Sequence, residues 1–254
     1  MRFGTDGRAL RKLRGVDPTI YLKAIVLLFR NPSILLAPLV AALLSGTISL
    51  LSPTMVTGGG AGSINASLAQ LVAQLLNAAA LAVALIVADL AWRRGGASFD
   101  EAWRDAMRKS GDILMAAIGF NFIIWVAFSL GSFVGTGIGG LILGALALYF
   151  FIYTMPAAAL GGTPGGAALQ ASFELARGNP LPTAGVAIAY VVTFFILSGY
   201  AASWLLVWLA TLGVASSALI TLGVIALAQA LAAGYVALVL SKTYTEISYG
   251  RRWY

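Results

Sequence analysis

The chain has 254 residues, of which 60% are hydrophobic and 10% charged, and its mean hydropathy is +0.91. Soluble domains carry about 25% charged residues, so a soluble globular fold is excluded. There is no Cys and no His, which removes disulfides, thiolate nucleophiles, iron–sulfur ligation, imidazole bases and histidine metal sites.

Residues 1–17 are basic and polar and show no short apolar core with a small-residue cleavage site, so a cleaved signal peptide is not expected. Pro18 opens PTIYLKAIVLLFR, which ends at Arg30. This run is too short to cross a bilayer and Lys23 interrupts it, so it reads as an interfacial helix over 18–30. Asn31 then reads as an N-cap and Pro32 as a first-turn residue. The first span is expected at about 33–52, with a kink at Pro38. A loop from Pro53 to Gly62 leads to a long second span, about 63–92. Ser98 and Glu101 fit a capping box that opens a helix over roughly 99–109. Phe99, Trp103 and Met107 share one face of it and charges occupy the other. The third span is about 112–134 and the fourth about 139–159, with a glycine-rich reversal at Gly135, Gly137, Gly139 and Gly140. Thr163-Pro164 starts another short helix, with Gly178 as its C-cap, and Asn179-Pro180 resets the chain. The fifth span is about 182–209, the sixth about 215–241, and 242–254 read as a polar, aromatic tail.

The expected fold is therefore all-α: a single polytopic membrane domain of six transmembrane helices with three amphipathic helices on one side. The 16 basic residues fall in four clusters. The stretches from Arg30 to Arg93, Lys109 to Arg177 and Arg177 to Lys242 enclose 62, 67 and 64 residues, each enough for two crossings. Every cluster thus returns to one face, which the positive-inside rule makes cytoplasmic, together with both termini. The opposite loops hold no charge. The basic face reads as a topology signal and an attraction for anionic lipids, not as a nucleic-acid surface.

A repeat underlies this order. A short inner helix leads into a spanning hairpin three times, with junctions at Arg30-Asn31-Pro32, Arg108-Lys109-Ser110-Gly111 and Arg177-Gly178-Asn179-Pro180. All three hairpins enter from one side, so the repeat is parallel, unlike the inverted repeats of many transporters. The segments KAIVLLFRNPSILLAPLV, ASFDEAWRDAMRKSGDIL, GGAALQASFELARGNP and KTYTEISYGRRWY resemble a group of six-span membrane proteins. That group includes relatives of the membrane domain of glycerophosphoryl diester phosphodiesterases. The resemblance implies six spans and a role at the membrane. It brings no catalytic motif, because the His and acidic metal cluster of the phosphodiesterase domain are missing.

Candidate site residues are few. Gln70, Gln74 and Asn77 share one face of the second span, and Asn121 and Gln229 are amides on the third and sixth. Amides in hydrocarbon need partners. They read either as a polar substrate path or as interhelical hydrogen bonds, worth about 0.6 kcal/mol each. Asp89 precedes Arg93 by one turn and reads as a boundary ion pair. Asp112 suits the positive start of its helix. Tyr200, Trp204 and Trp208 form a stripe that reads as an aromatic belt at the far interface. Gly140 and Gly144 read as a small-residue packing face, with a dimer as one use. No phosphate-binding G-x-x-x-x-G-K-[ST] motif is present, and no metal or cofactor is implied.

The expected function is non-enzymatic: a scaffold, accessory subunit or lipid-associated factor of the cytoplasmic membrane. The rival is a transporter or permease subunit using the polar face of the second span. Expected partners are membrane lipids, anionic on the cytoplasmic face, other membrane proteins or a second copy of the chain. The topology is testable in this cysteine-free chain. Ser98→Cys is expected to react with a membrane-impermeant maleimide only after the membrane is opened. Thr57→Cys is expected to react in intact cells.

Overall fold

The computed structural model describes residues 17–51, 61–213 and 217–251. The basic segment before Asp17, most of the loop after Leu51, the side chain of Asn65 and residues 252–254 lie outside the described residues. The described chain is helical and contains no strand. Six segments are long and apolar enough to cross a bilayer: Pro32–Leu50, Ala69–Arg94, Ser110–Val134, Gly137–Ala159, Pro180–Thr211 and Ala218–Ser248. The chain is an all-α bundle and a multi-pass membrane protein.

The short helix α1 (Thr19–Arg30) starts where Asp17 accepts bonds from the Thr19 hydroxyl, at 2.6 Å, and the Thr19 N–H, at 3.0 Å. Those bonds hold the Asp17 carboxyl below its usual range. A 3-10 turn (Pro32–Leu35) then runs directly into α2 (Leu36–Leu51). Pro38 cannot donate to the carbonyl of Ile34, and the chain changes from the 3-10 turn to α-helix just before it.

Asn31 does not cap the helix that follows it. Its Nδ2 turns back and donates to Leu27 O at 3.2 Å, closing the end of α1. Asn179 does the same, donating to Leu175 O at 3.0 Å at the end of α7 (Gly165–Gly178). The backbone angles agree too: φ −129°, ψ 70° at Asn31 and φ −138°, ψ 65° at Asn179. Two of the three repeat junctions are thus built alike, as a C-terminal amide followed by Pro in the first turn of the next helix. Gly178 remains helical and is not the cap.

The expected capping box also resolves differently. At the start of α4 (Phe99–Arg108) the Ser98 side chain makes no cap bond, and Glu101 pairs with Arg94 at 2.9 Å. A charge-assisted pair outcompetes a bond to one backbone N–H.

The helix α5 (Ser110–Phe151) is assigned as one run, yet the chain reverses within it. A Cβ on Gly131 would strike the carbonyl of Gly139, and one on Gly139 would strike Gly131 in return. Only glycine permits two backbones this close. The two arms correspond to the third and fourth spans. The second arm is interrupted at Ile152–Tyr153 before α6 (Thr154–Ala159). Pro156 lacks the N–H that would reach Ile152 O. Ser172 of α7, fully buried, repairs the break: its Oγ accepts from Tyr153 N at 3.0 Å and donates to Phe150 O at 3.0 Å.

The centre of the bundle is α3 (Ala61–Arg94) against α10 (Ala218–Arg251). Half of the most apolar window of the second span is buried, against 11% for the fifth. The α3 stretch Ala82–Ala88 and the α10 stretch Val236–Leu240 are buried throughout, and the alanines let the helices approach closely. Trp92 Nε1 locks the pair by donating to Leu238 O at 2.9 Å. The expected tail does not separate from the bundle: α10 stays helical to Arg251, with Tyr244 and Ile247 in the core. The fifth span consists of α8 (Pro180–Phe194), a π-helical stretch (Phe195–Ala201) and α9 (Ala202–Thr211).

The short helices α1, α4 and α7 gather at one end, forming a collar. Ser33 Oγ donates to Ala97 O at 3.3 Å, Lys109 Nζ to Ala159 O at 2.9 Å, and Gly165 N to Asp112 Oδ1 at 3.2 Å. Asp112 therefore supplies the first N–H of α7 with an acceptor, besides suiting its own helix start. Because Ser172 satisfies two buried backbone groups, Ser172→Ala is expected to destabilise the fold by about 1–3 kcal/mol. Ser203→Ala, whose exposed hydroxyl bonds only Gly199 O, is expected to leave stability nearly unchanged in the same detergent unfolding measurement.

Candidate functional site

Four of the five amides singled out from sequence meet at one cavity of about 270 Å³. Gln74 and Asn77 enter it from α3, Asn121 from the first arm of α5 and Gln229 from α10. Gln70 lies one turn further from the collar and does not line the cavity; it is exposed, as are Gln74 and Asn77. The wall also contains Pro38, Phe120, Met155, Tyr190 and Phe194. Asn121 lies eleven residues beyond Ser110, a helical rise of about 16 Å, so the cavity sits near the middle of a hydrocarbon layer about 30 Å thick.

The amides are not bonded to one another. Asn121 Nδ2 donates to Ala117 O on its own helix at 2.9 Å. The side chains of Gln74, Asn77 and Gln229 make no hydrogen bond among the described residues. The interhelical hydrogen bonds expected of these residues are not formed among the described residues. An amide left without a partner in hydrocarbon costs several kcal/mol. Three such costs rival the whole stability of a domain, about 5–15 kcal/mol. Water or a polar solute in the cavity removes the penalty, and the volume holds several waters.

Tyr190 was not singled out from sequence. Its ring packs on Phe194 at a centroid distance of 4.8 Å, directly before the π-helical stretch. Such stretches concentrate at functional sites, because the extra residue re-aims the side chains on either side. A tyrosine hydroxyl in an apolar run, with Thr193 three residues on, was the available signal. The cavity lining carries no formal charge. Its chemistry is that of neutral donors and acceptors flanked by aromatic rings.

Charge collects at the collar end. Arg93 Nε lies 2.9 Å from Asp89 Oδ2, and Lys242 Nζ lies 3.4 Å from Glu246 Oε1. Together with Trp92 and Thr245 these residues surround a separate hollow of about 390 Å³. Lys242 also stands 5.8 Å from the centre of the Trp92 ring. Asp89 is twelve residues from Asn77 along α3, about 18 Å of rise, so this charged hollow does not reach the amide cavity.

The other singled-out residues fall outside both hollows. Tyr200, Trp204 and Trp208 are exposed on the outer half of the fifth span. Gly140 and Gly144 face the opposite arm of their own hairpin: a Cβ on Gly140 would strike Ser132 Oγ, and one on Gly144 would touch the Phe128 ring at 3.7 Å. Their small size serves packing within the chain, which accounts for the pair without a dimer.

No known protein family, curated protein or solved structure matches the chain. The site thus stands on its own geometry. Because the Gln74 side chain has no hydrogen-bond partner among the described residues, Gln74→Leu is expected to keep or raise the unfolding temperature of the purified protein. A fall would restore the reading of Gln74 as a structural hydrogen-bonding residue.

Proposed function

We propose that this protein binds a small uncharged polar solute at the middle of the bilayer and passes it across, as a transporter or permease subunit. The observation that carries this reading is the set of unpartnered amides around the cavity. A solute bearing hydroxyl or amide groups satisfies Gln74, Asn77 and Gln229 without bringing a charge into the hydrocarbon. The flanking rings of Tyr190 and Phe194 suit its apolar faces. The uncharged lining argues against an ion as cargo. The positive-inside rule sets the collar and both termini on the cytoplasmic side of the cytoplasmic membrane.

The second reading is a scaffold or lipid-associated factor, in line with the resemblance to six-span relatives of phosphodiesterase membrane domains. It draws on the collar. Arg30, Arg104, Arg108 and Arg177 are exposed and form no ion pair among the described residues, while α4 turns Trp103 and Met107 outward. Such a surface attracts an anionic leaflet, at about 1 kcal/mol per basic residue near it.

Stopped-flow light scattering from reconstituted vesicles separates the two. Glycerol or urea is expected to enter protein-containing vesicles faster than protein-free ones, and potassium chloride is not. Gln74→Leu with Gln229→Leu is expected to reduce solute entry about tenfold, a loss of roughly 1.4 kcal/mol of barrier stabilisation. Entry equal to that of protein-free vesicles for every neutral probe rejects the solute reading in favour of the scaffold.

A further inference from the structure

A third hollow, about 820 Å³ and three times the size of the amide cavity, opens sideways between α2, α3 and α5 and is floored by α4. Its walls are apolar: Leu36, Val40 and Leu44 on α2, Leu76 and Ala79 on α3, Ile113 and Leu114 on α5. The eight helical steps from Leu36 to Leu44 give it a depth of about 12 Å along the bundle, inside the hydrocarbon layer. Water is excluded there, so an apolar hollow of this depth takes an apolar chain.

The floor carries the polar information. Phe99, Trp103 and Met107 of α4 line the hollow at its collar end, and Asp100 lines it beside them. Asp100 is exposed and makes no ion pair among the described residues. Arg104, one turn on, is also exposed. Its Nε donates to the backbone carbonyl of Asp100 at 3.2 Å, and it makes no ion pair. One carboxylate that lines the acyl-sized hollow therefore stands one turn before an exposed guanidinium on the same floor helix, and neither makes an ion pair among the described residues.

We infer that this groove is a binding site for a zwitterionic phospholipid of the phosphatidylethanolamine type. An acyl chain lies between α2 and α5, the phosphate meets Arg104, and the ammonium meets Asp100. Arg104 is suited to phosphate because its guanidinium offers paired donors. Asp100 sets the choice of headgroup: it attracts an ammonium and repels a purely anionic lipid such as phosphatidylglycerol. The site is independent of the amide cavity, although α2, α3 and α5 supply walls to both.

Native mass spectrometry of the purified full chain, delipidated and then exchanged into equal amounts of the two lipids, tests this. The wild type is expected to retain phosphatidylethanolamine over phosphatidylglycerol by about tenfold. Val40→Trp fills the groove from an exposed position and is expected to abolish retention. Asp100→Lys, on the exposed floor, is expected to reverse the preference, and it keeps the test open where Val40→Trp fails to fold. Equal retention of both lipids, preference for phosphatidylglycerol in the wild type, or unchanged retention in folded Val40→Trp overturns the proposal. A dimer that Val40→Trp dissociates overturns it as well, since a second copy would then occupy the groove. Gln74→Leu is expected to leave lipid retention unchanged, so failure of the solute reading and failure of this one are read separately.

Discussion

In hydrocarbon a backbone N–H or C=O without a partner costs several kcal/mol, and no solvent is present to repair it. Several breaks in this bundle are placed where a side chain makes the repair. Pro156 opens the fourth span, and Ser172 reaches from α7 to bond both sides of the gap. The ends of α1 and α7 are closed by their own following asparagines. Asp112 and Lys109 satisfy an N–H of α7 and a carbonyl of α6. Nearly all of these repairs lie at one end, so satisfying the backbone also knits the short helices into a collar. The collar in turn holds the entry points of the spans.

Against that background the amide cavity stands out. A chain that finds a bond for interrupted backbone deep in its core leaves three side-chain amides open to one space at mid-bilayer. Packing alone would have favoured Leu at those positions, since α3 and α10 otherwise close over each other with alanine and valine. The π-helical stretch beside Phe194 and the glycine contact of the Gly131–Gly139 hairpin are further departures from regular helix packing. The first adjoins the cavity. The second serves the turn between two peripheral spans.

The collar is balanced electrically in an uneven way. Asp89, Glu101, Asp105 and Glu246 each hold a basic partner, whereas the arginines that end α1, α4 and α7 hold none among the described residues. Those three arginines occupy matching places, each at the end of a short helix just before a span. The repeat is thus clearest in what faces outward. The core shows little of it, because α3 and α10 are central while both arms of α5 are peripheral.

Sequence by itself determined the class, the presence of six spans and the short helices between them. These follow from local quantities: the length of an apolar run, its period, and the cost of placing a charge in lipid. Residue types at the caps were also legible, but not their bonds. Asn31 closes the helix before it, and Glu101 prefers Arg94 to a backbone N–H, because each group takes the stronger partner that folding brings within reach. Only the tertiary structure decided which amides meet. A period of 3.6 places Gln70, Gln74 and Asn77 on one face, but it does not say which neighbour covers each turn of that face. Close packing of small residues fixes how the helices cross and at what depth a gap remains. It brings Asn121, Tyr190 and Gln229 to Gln74 and Asn77, and it leaves Gln70 outside.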